Sequence, residues 1–216
     1  PVQLFCCPMM LLTRRLAILA LAATVLTGCA TSTANLSTAT VGAYRETIDL
    51  AGRLSVNYQK DGRAESISGS FNWEQRPGTI DVTLMSPLGQ TVAAINVTPG
   101  AATLTQAGQA PRTADDIDSL TQQTLGWPLP VSGLRDWLQG YAVDAQGQRF
   151  RASPASNSVT TKDGWRLRFV DWQAAGGGAA AGAAAAAPVP RLIQAERAAS
   201  GDIQDMAIRI VVNPAA

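Results

Sequence analysis

From residue 50 onward, apolar and polar positions alternate with a period of two. Leu50, Leu54, Val56 and Tyr58 fall on one face of a strand, with Arg53, Ser55, Asn57 and Gln59 on the other. Asp61-Gly62 predicts a hairpin turn. The returning strand sets Ile67, Gly69, Phe71 and Trp73 against Ser66, Ser68, Ser70, Asn72 and Glu74. Pro77-Gly78 turns the chain again, and Ile80, Val82 and Leu84 then alternate with Thr79, Asp81 and Thr83. The same pattern predicts strands over 91–97, 101–106, 165–172, 191–195 and 206–212, with a short pair around Phe150 and Val159. Strands with one apolar and one polar face make an antiparallel sheet that must curl or be covered.

Helical spacing interrupts the alternation. Thr113-Ala114-Asp115-Asp116 reads as an N-cap with acids in the first turn, followed by Ile117, Leu120 and Thr124 on one face and by Gly126 as the stop. Ser132 is placed to cap a second helix carrying Leu134, Trp137, Leu138 and Tyr141 on one face, with Gly140 near its end. Trp127-Pro128-Leu129-Pro130 links the two, and a weaker third helix is predicted near 41–48. The low-complexity run 174–187 reads as an insertion in a hairpin loop, with an alanine-rich helix as the alternative for its second half.

One turn stands apart. Ser86-Pro87-Leu88-Gly89 joins two strand-like runs, with Pro at the second and Gly at the fourth position of a type I turn. Leu88 is then set at its tip, where single apolar residues need no special explanation.

The N-terminus has a different character. Arg14 and Arg15 precede a short apolar run, 16–25, and small residues then lead to Cys29. This is the form of a signal peptide, too short to span a bilayer. The chain opens on Pro1, and Met9 and Met10 are candidate translation starts. Leu26-Thr27-Gly28-Cys29 resembles the bacterial lipobox, with Thr27 a less usual residue at its position. That pattern implies cleavage before Cys29 and acylation of the cysteine. In lipoproteins of this kind an Asp at the next position marks inner-membrane retention, so Ala30 points to the outer membrane. Two or more acyl chains at about 0.8 kcal/mol per methylene make a stable anchor. The Ser/Thr/Ala-rich stretch after Cys29 reads as a tether reaching roughly 20 Å as a random coil. The expected organisation is a cleaved signal over 1–28, lipidated Cys29 with a tether to 43, and one domain over 44–216.

Composition narrows the chemistry. The 216 residues carry a net charge of +1, which supplies no electrostatic reason to expect nucleic acid. There is no histidine, which excludes a Ser-His-Asp triad, a Cys-His pair and a histidine metal site. The cysteines are Cys6, Cys7 and Cys29, so the body beyond Ala30 holds neither a disulfide nor a thiolate cluster. Asp115, Asp116 and Asp118 lack the Gly and terminal Glu of a calcium loop, and no strand-to-helix phosphate loop appears. No catalytic residue, cofactor or metal is expected, and an enzyme is the least favoured class. Phe71, Trp73, Trp127, Trp137, Trp165 and Phe169 all have the spacing to point between sheet and helices. Periodicity alone leaves open whether they fill a core or line a pocket for a hydrophobic ligand.

The order and spacing of several pieces resemble the LolB family, the outer-membrane receptors of bacterial lipoprotein sorting. They are the lipobox cysteine, SFNWEQ in the second strand, SPLG in the turn, TADD before a helix, LGWPLP between helices and SGLRDWLQG in the next. The Ala/Gly insertion departs from the pattern and puts its own hairpin in doubt. The resemblance implies a mainly β fold with α: an open antiparallel half-barrel lidded by helices and enclosing a hydrophobic cavity. It implies receipt of lipoproteins from the soluble periplasmic carrier LolA and their release into the inner leaflet of the outer membrane, without ATP. It also implies that a leucine on a protruding loop serves release, which places Leu88, flanked by Pro87 and Gly89, in that role. The residues expected to line the acyl-chain cavity are Leu54, Phe71, Trp73, Val82, Leu84, Trp127, Leu134, Trp137, Leu138, Trp165 and Phe169. A monomer is expected. The competing readings are a lipoprotein that binds or senses lipid without passing it on, and a scaffold with a filled core.

Overall fold

In the computed structural model, residues 37–60, 62–125, 131–174, 187–198 and 205–214 are described. The signal segment, Cys29, most of the tether, Asp61, Trp127 with its Pro-rich neighbours and residues 175–186 lie outside them. Every element below belongs to the unit Leu36–Ala216.

The strands are β1 (Ile48–Lys60), β2 (Arg63–Arg76), β3 (Thr79–Met85), β4 (Thr91–Thr98), β5 (Ala101–Gln106) and β6 (Arg112–Ala114), then β7 (Tyr141–Val143), β8 (Arg149–Arg151), β9 (Ser158–Thr160), β10 (Arg166–Ala174), β11 (Pro188–Arg197) and β12 (Met206–Val212). The helices among the described residues are α1 (Ile117–Leu125) and α2 (Val131–Trp137). One antiparallel sheet runs β6-β5-β4-β3-β2-β1-β12-β11-β10-β9, and β7-β8 form a separate pair. The large sheet is open. Its edges, β6 and β9, have three residues each, which limits the free strand edge offered to another chain. The segment between these edges carries α1, α2, β7 and β8. The apolar faces of sheet and helices share a single core that includes Phe71, Trp73, Leu104, Leu120, Leu134, Trp165 and Ile210.

Two glycines allow close approach within the sheet. A Cβ on Gly52 would run into the Val211 carbonyl and the Phe71 ring, and one on Gly69 would strike the Met85 carbonyl. Both occupy inward positions of the alternation, where a side chain would hold its neighbours apart.

The structure departs from the sequence reading at several points. Residues 41–47 form no helix. They belong to an extended arm in which Val41 is buried and donates its N–H to the Ala152 carbonyl at 2.9 Å. Residues 37–43, read as the end of the tether, therefore lie along the body, where Ala155 N–H also donates to the Ser37 carbonyl. Thr113 and Ala114 are strand residues of β6; the cap of α1 is Asp116, whose carboxylate accepts from the Ser119 N–H at 2.7 Å. Ser132 is inside α2 rather than its cap. Its N–H donates to the Asp118 carboxylate of α1 at 3.1 Å, and its hydroxyl bonds the same group. A carboxylate on one helix thus serves the amide end of the next. Tyr141 lies in β7, because α2 stops at Trp137 and the chain turns through Gly140 at φ +79°. Strands form around Phe150 and Val159 but do not pair: β8 joins β7, while β9 joins β10. Ile67, on the inward face by alternation, is 49% exposed, since residues 63–69 of β2 pair only with β1 and extend past the end of β3.

The strands on either side of the Ala/Gly run pair fully. Trp172 faces Pro190, Gln173 faces Val189 and Ala174 faces Pro188, so the insertion stands in place of a hairpin turn and leaves the ladder intact.

Candidate functional site: an apolar gap and a protruding leucine

Between α2 and the sheet lies a gap of about 60 Å³ bordered only by apolar side chains. Its sheet wall follows from strand register. Trp73 faces Val82, and Val82 faces Ile95; Phe71 faces Leu84; Leu54 faces Ile210. Its helical wall is Val131, Leu134 and the following Leu138. Leu138 continues the helix hydrogen bonding after the last α2 residue, donating its N–H to the Leu134 carbonyl at 3.0 Å.

Seven of the predicted lining residues meet there: Leu54, Phe71, Trp73, Val82, Leu84, Leu134 and Leu138. Three others do not. Trp137 and Trp165 pack on each other with ring centres 5.9 Å apart, and Phe169 stacks between Phe150 and Trp172. These three are buried and fill a neighbouring part of the core. Trp127 lies outside the described residues. Ile95, Val131 and Ile210 line the gap without having been singled out. Ile95 and Ile210 carried the necessary signal as inward positions of alternating strands, whereas Val131 follows a Pro-rich link with no periodicity of its own.

Polar bonds fasten the edge of this region. Gln75 is wholly buried. Its side-chain oxygen accepts from the Trp73 indole N–H at 3.4 Å, and its amide donates to the Tyr44 hydroxyl at 3.1 Å and the Arg45 carbonyl at 3.4 Å. Gln139 bonds the Arg45 backbone in both directions, at 2.9 and 3.0 Å. From α2, Arg135 donates to the Tyr44 hydroxyl at 2.7 Å and pairs with Glu46 at 2.7 Å. The guanidinium of Arg149 lies over the rings of Tyr44 and Tyr141. The arm 37–47 and α2 are therefore tied together. Burial pushes the Asp136 carboxyl up from its ordinary range, and the charges of Arg149 and Arg135 partly offset that.

The turn between β3 and β4 is closed by two backbone bonds: Gly89 N–H to the Ser86 carbonyl at 2.9 Å, and Ser86 N–H to the Gln90 carbonyl at 2.8 Å. Gly89 sits at φ +81°, a conformation costly for other residues, and Pro87 fixes φ at the preceding corner. Leu88 between them is 88% exposed, the most exposed large apolar side chain among the described residues. A constrained turn thus holds an apolar side chain in water.

The profile of the family described as "Outer membrane lipoprotein LolB" matches residues 46–214. An outer-membrane lipoprotein LolB of Cupriavidus pinatubonensis is 36% identical over 208 residues, covering 96% of this chain and 98% of its own length. The protein of the same name from Cupriavidus necator is 38% identical over 164 residues, 76% and 77% of the two chains. That from Thiobacillus denitrificans is 37% identical over 167 residues, 74% and 85% of the two chains.

Proposed function

This chain belongs to the LolB family and is an outer-membrane lipoprotein of the Lol pathway, and from that premise we propose that it takes acylated lipoproteins from a LolA-type carrier into the gap between α2 and the sheet and releases them into the inner leaflet of the outer membrane. The observation that carries this reading is the wholly apolar lining shared by α2 and five strands. An acyl chain needs no polar partner, and a site that offers none takes the chains irrespective of the protein attached to them.

The size of the gap adds a mechanism. About 60 Å³ is far below the roughly 300–1,000 Å³ of pockets that take drug-sized ligands. Cargo must therefore part α2 from the sheet, and the half-barrel with its helices acts as a cavity that opens on loading. The side chains that border the gap leave little space between them. Cargo has to replace those contacts, which lowers its net affinity. A weak site suits a receptor that must pass its load on. Exposing three acyl chains to water costs tens of kcal/mol at about 0.8 kcal/mol per methylene, so transfer runs from cavity to cavity and then into lipid. Leu88 enters the bilayer and holds the mouth of the site against it. Lipidated Cys29 keeps the body at the membrane, and the protein acts as a monomer.

The test mixes the purified chain with a carrier loaded with an acylated lipoprotein, then adds vesicles. Cargo should move to the chain and on to the vesicles. Leu88→Glu should accept cargo and fail to deliver it. Normal delivery by that variant overturns the role of Leu88. Uptake by the wild-type chain without delivery identifies a lipid-binding lipoprotein instead.

A further inference from the structure

Beside the Leu88 turn, β2 continues past the end of β3 and leaves a notch of about 520 Å³. Pro87 forms one side. Arg53, Ser55, Ser68, Ser70 and Arg209 belong to the outer face of β1, β2 and β12 that runs from it. This face has an unusual charge pattern. Arg53 faces Val211 and Ser55 faces Arg209, so the two guanidiniums stem from diagonal positions on adjacent strands, about 7–8 Å apart. Arg168 continues the row, since it faces Gln194, which in turn faces Arg209. All three are exposed, and among the described residues none has a carboxylate partner. Of the carboxylates on the sheet, Asp49 pairs with Arg76, Glu196 with Arg166 and Asp171 with Arg191, while Asp81 accepts from the Asn96 amide and Glu65 from the Tyr58 hydroxyl. Like charges placed close together without a counter-charge are unfavourable until an anion joins them. Their neighbours on β1 and β2 are serines, whose short side chains let a flat surface approach closely and offer hydroxyl donors to oxygen anions.

We infer that this arginine-bearing outer face rests on anionic phospholipid headgroups, with Arg53 and Arg209 bonding their phosphates, when Leu88 is in the bilayer. The inference rests on the reading of Leu88 as the membrane-entering tip, because Pro87 places turn and arginines at the same notch. Headgroup phosphate satisfies the requirements of the face: anionic, presented as a plane, and located where the adjoining leucine enters the membrane. Guanidinium forks match its oxygens in pairs. The consequence is an orientation. A single leucine fixes depth but not tilt; a charged face beside it fixes which side of the sheet lies down, and so where the gap opens relative to the leaflet.

The lipidated full chain provides the test. With the Cys29 thiol acylated, the mature sequence has no other cysteine, so a fluorophore on Ser66→Cys reports this face alone. The chain is reconstituted in vesicles of phosphatidylethanolamine, with or without phosphatidylglycerol, carrying a headgroup quencher. Quenching should be stronger with phosphatidylglycerol and should weaken with salt. Arg53→Gln with Arg209→Gln should lower the ratio of docked to undocked face about 5-fold per arginine, about 30-fold together. The corresponding Lys pair should retain most of the quenching, and an unchanged thermal midpoint verifies folding. Equal quenching in the two lipids, or a Gln pair quenched like the parent, overturns the inference. So does inorganic phosphate releasing the face more than chloride at the same ionic strength, which identifies a free-phosphate site. Leu88→Glu is assayed in parallel for cargo delivery. Its failure to deliver, with the Gln pair still docked, leaves the Leu88 reading standing and removes this one alone.

Discussion

Gln75 lies where the arm 37–47 meets β2, and its side chain is shared among Trp73, Tyr44 and Arg45. Replacing it by Ala removes several bonds from a buried position at once, and each orphaned buried polar group costs about 1–3 kcal/mol. Gln75→Ala should lower the denaturant midpoint, while Gln75→Glu should lower it further by burying a charge. Asp136 acts in the other direction. Burial raises its folded pKa above the unfolded value, so the folded chain holds more protons and its stability falls as pH rises through that range. Asp136→Asn should therefore be more stable than the parent at neutral pH. The gain should disappear below the ordinary carboxylate range, where the parent is protonated in both states. A pH series of urea melts measures both arms of this prediction.

Among the elements, α2 and the β10–β11 hairpin have opposite sensitivities. The helix is short and its inner side chains border unfilled space, so the gap can be blocked from the sheet side without touching the helix. Ile95→Phe places a larger ring into about 60 Å³ that the fold leaves open. It should reduce uptake of acylated cargo or of an apolar fluorescent probe at least about 10-fold, with overpacking limited to about 1–3 kcal/mol in stability. Undiminished uptake would place the acyl site elsewhere. The hairpin, by contrast, is paired up to Ala174 and Pro188. Replacing residues 176–186 by a short Asn-Gly turn should alter stability by about 1 kcal/mol, since each doubling of loop length costs only about 0.6 kcal/mol. Cargo transfer should be unchanged. Gly52 admits no such freedom, and Gly52→Val should fail to fold in the parent form, because the new side chain meets the Val211 backbone.

At the scale of the molecule, the proposed anchor, the gap and the proposed membrane-entering turn are separate devices. The gap and Leu88 both belong to the unit 36–216, while Cys29, the proposed lipidation site, precedes it in sequence. A Cys29→Ala chain directed to the periplasm should still accept cargo, and should appear in the soluble fraction. Delivery should then depend more steeply on Leu88, which becomes its main hold on lipid. Fractionation and a transfer assay read the two effects independently.

Alternation along the strands determined the inward and outward faces from local chemistry alone, and with them Leu54, Phe71, Trp73, Val82 and Leu84 as one apolar wall. The Pro-Leu-Gly turn was equally legible, since Pro87 and Gly89 restrict the backbone whatever surrounds them. Other features depended on distant partners. Whether 41–47 formed a helix was decided by the Ala152 carbonyl and by Gln75 and Gln139, all remote in sequence. The end of α2 before Tyr141 reflects the pairing of β7 with β8. Trp137, Trp165 and Phe169 have the same spacing as the residues that border the gap; only the register of β10 and the path of the chain after α2 direct them to a neighbouring part of the core. Periodicity assigns a side chain to a face, but which neighbour covers that face is a property of the assembled sheet and helices.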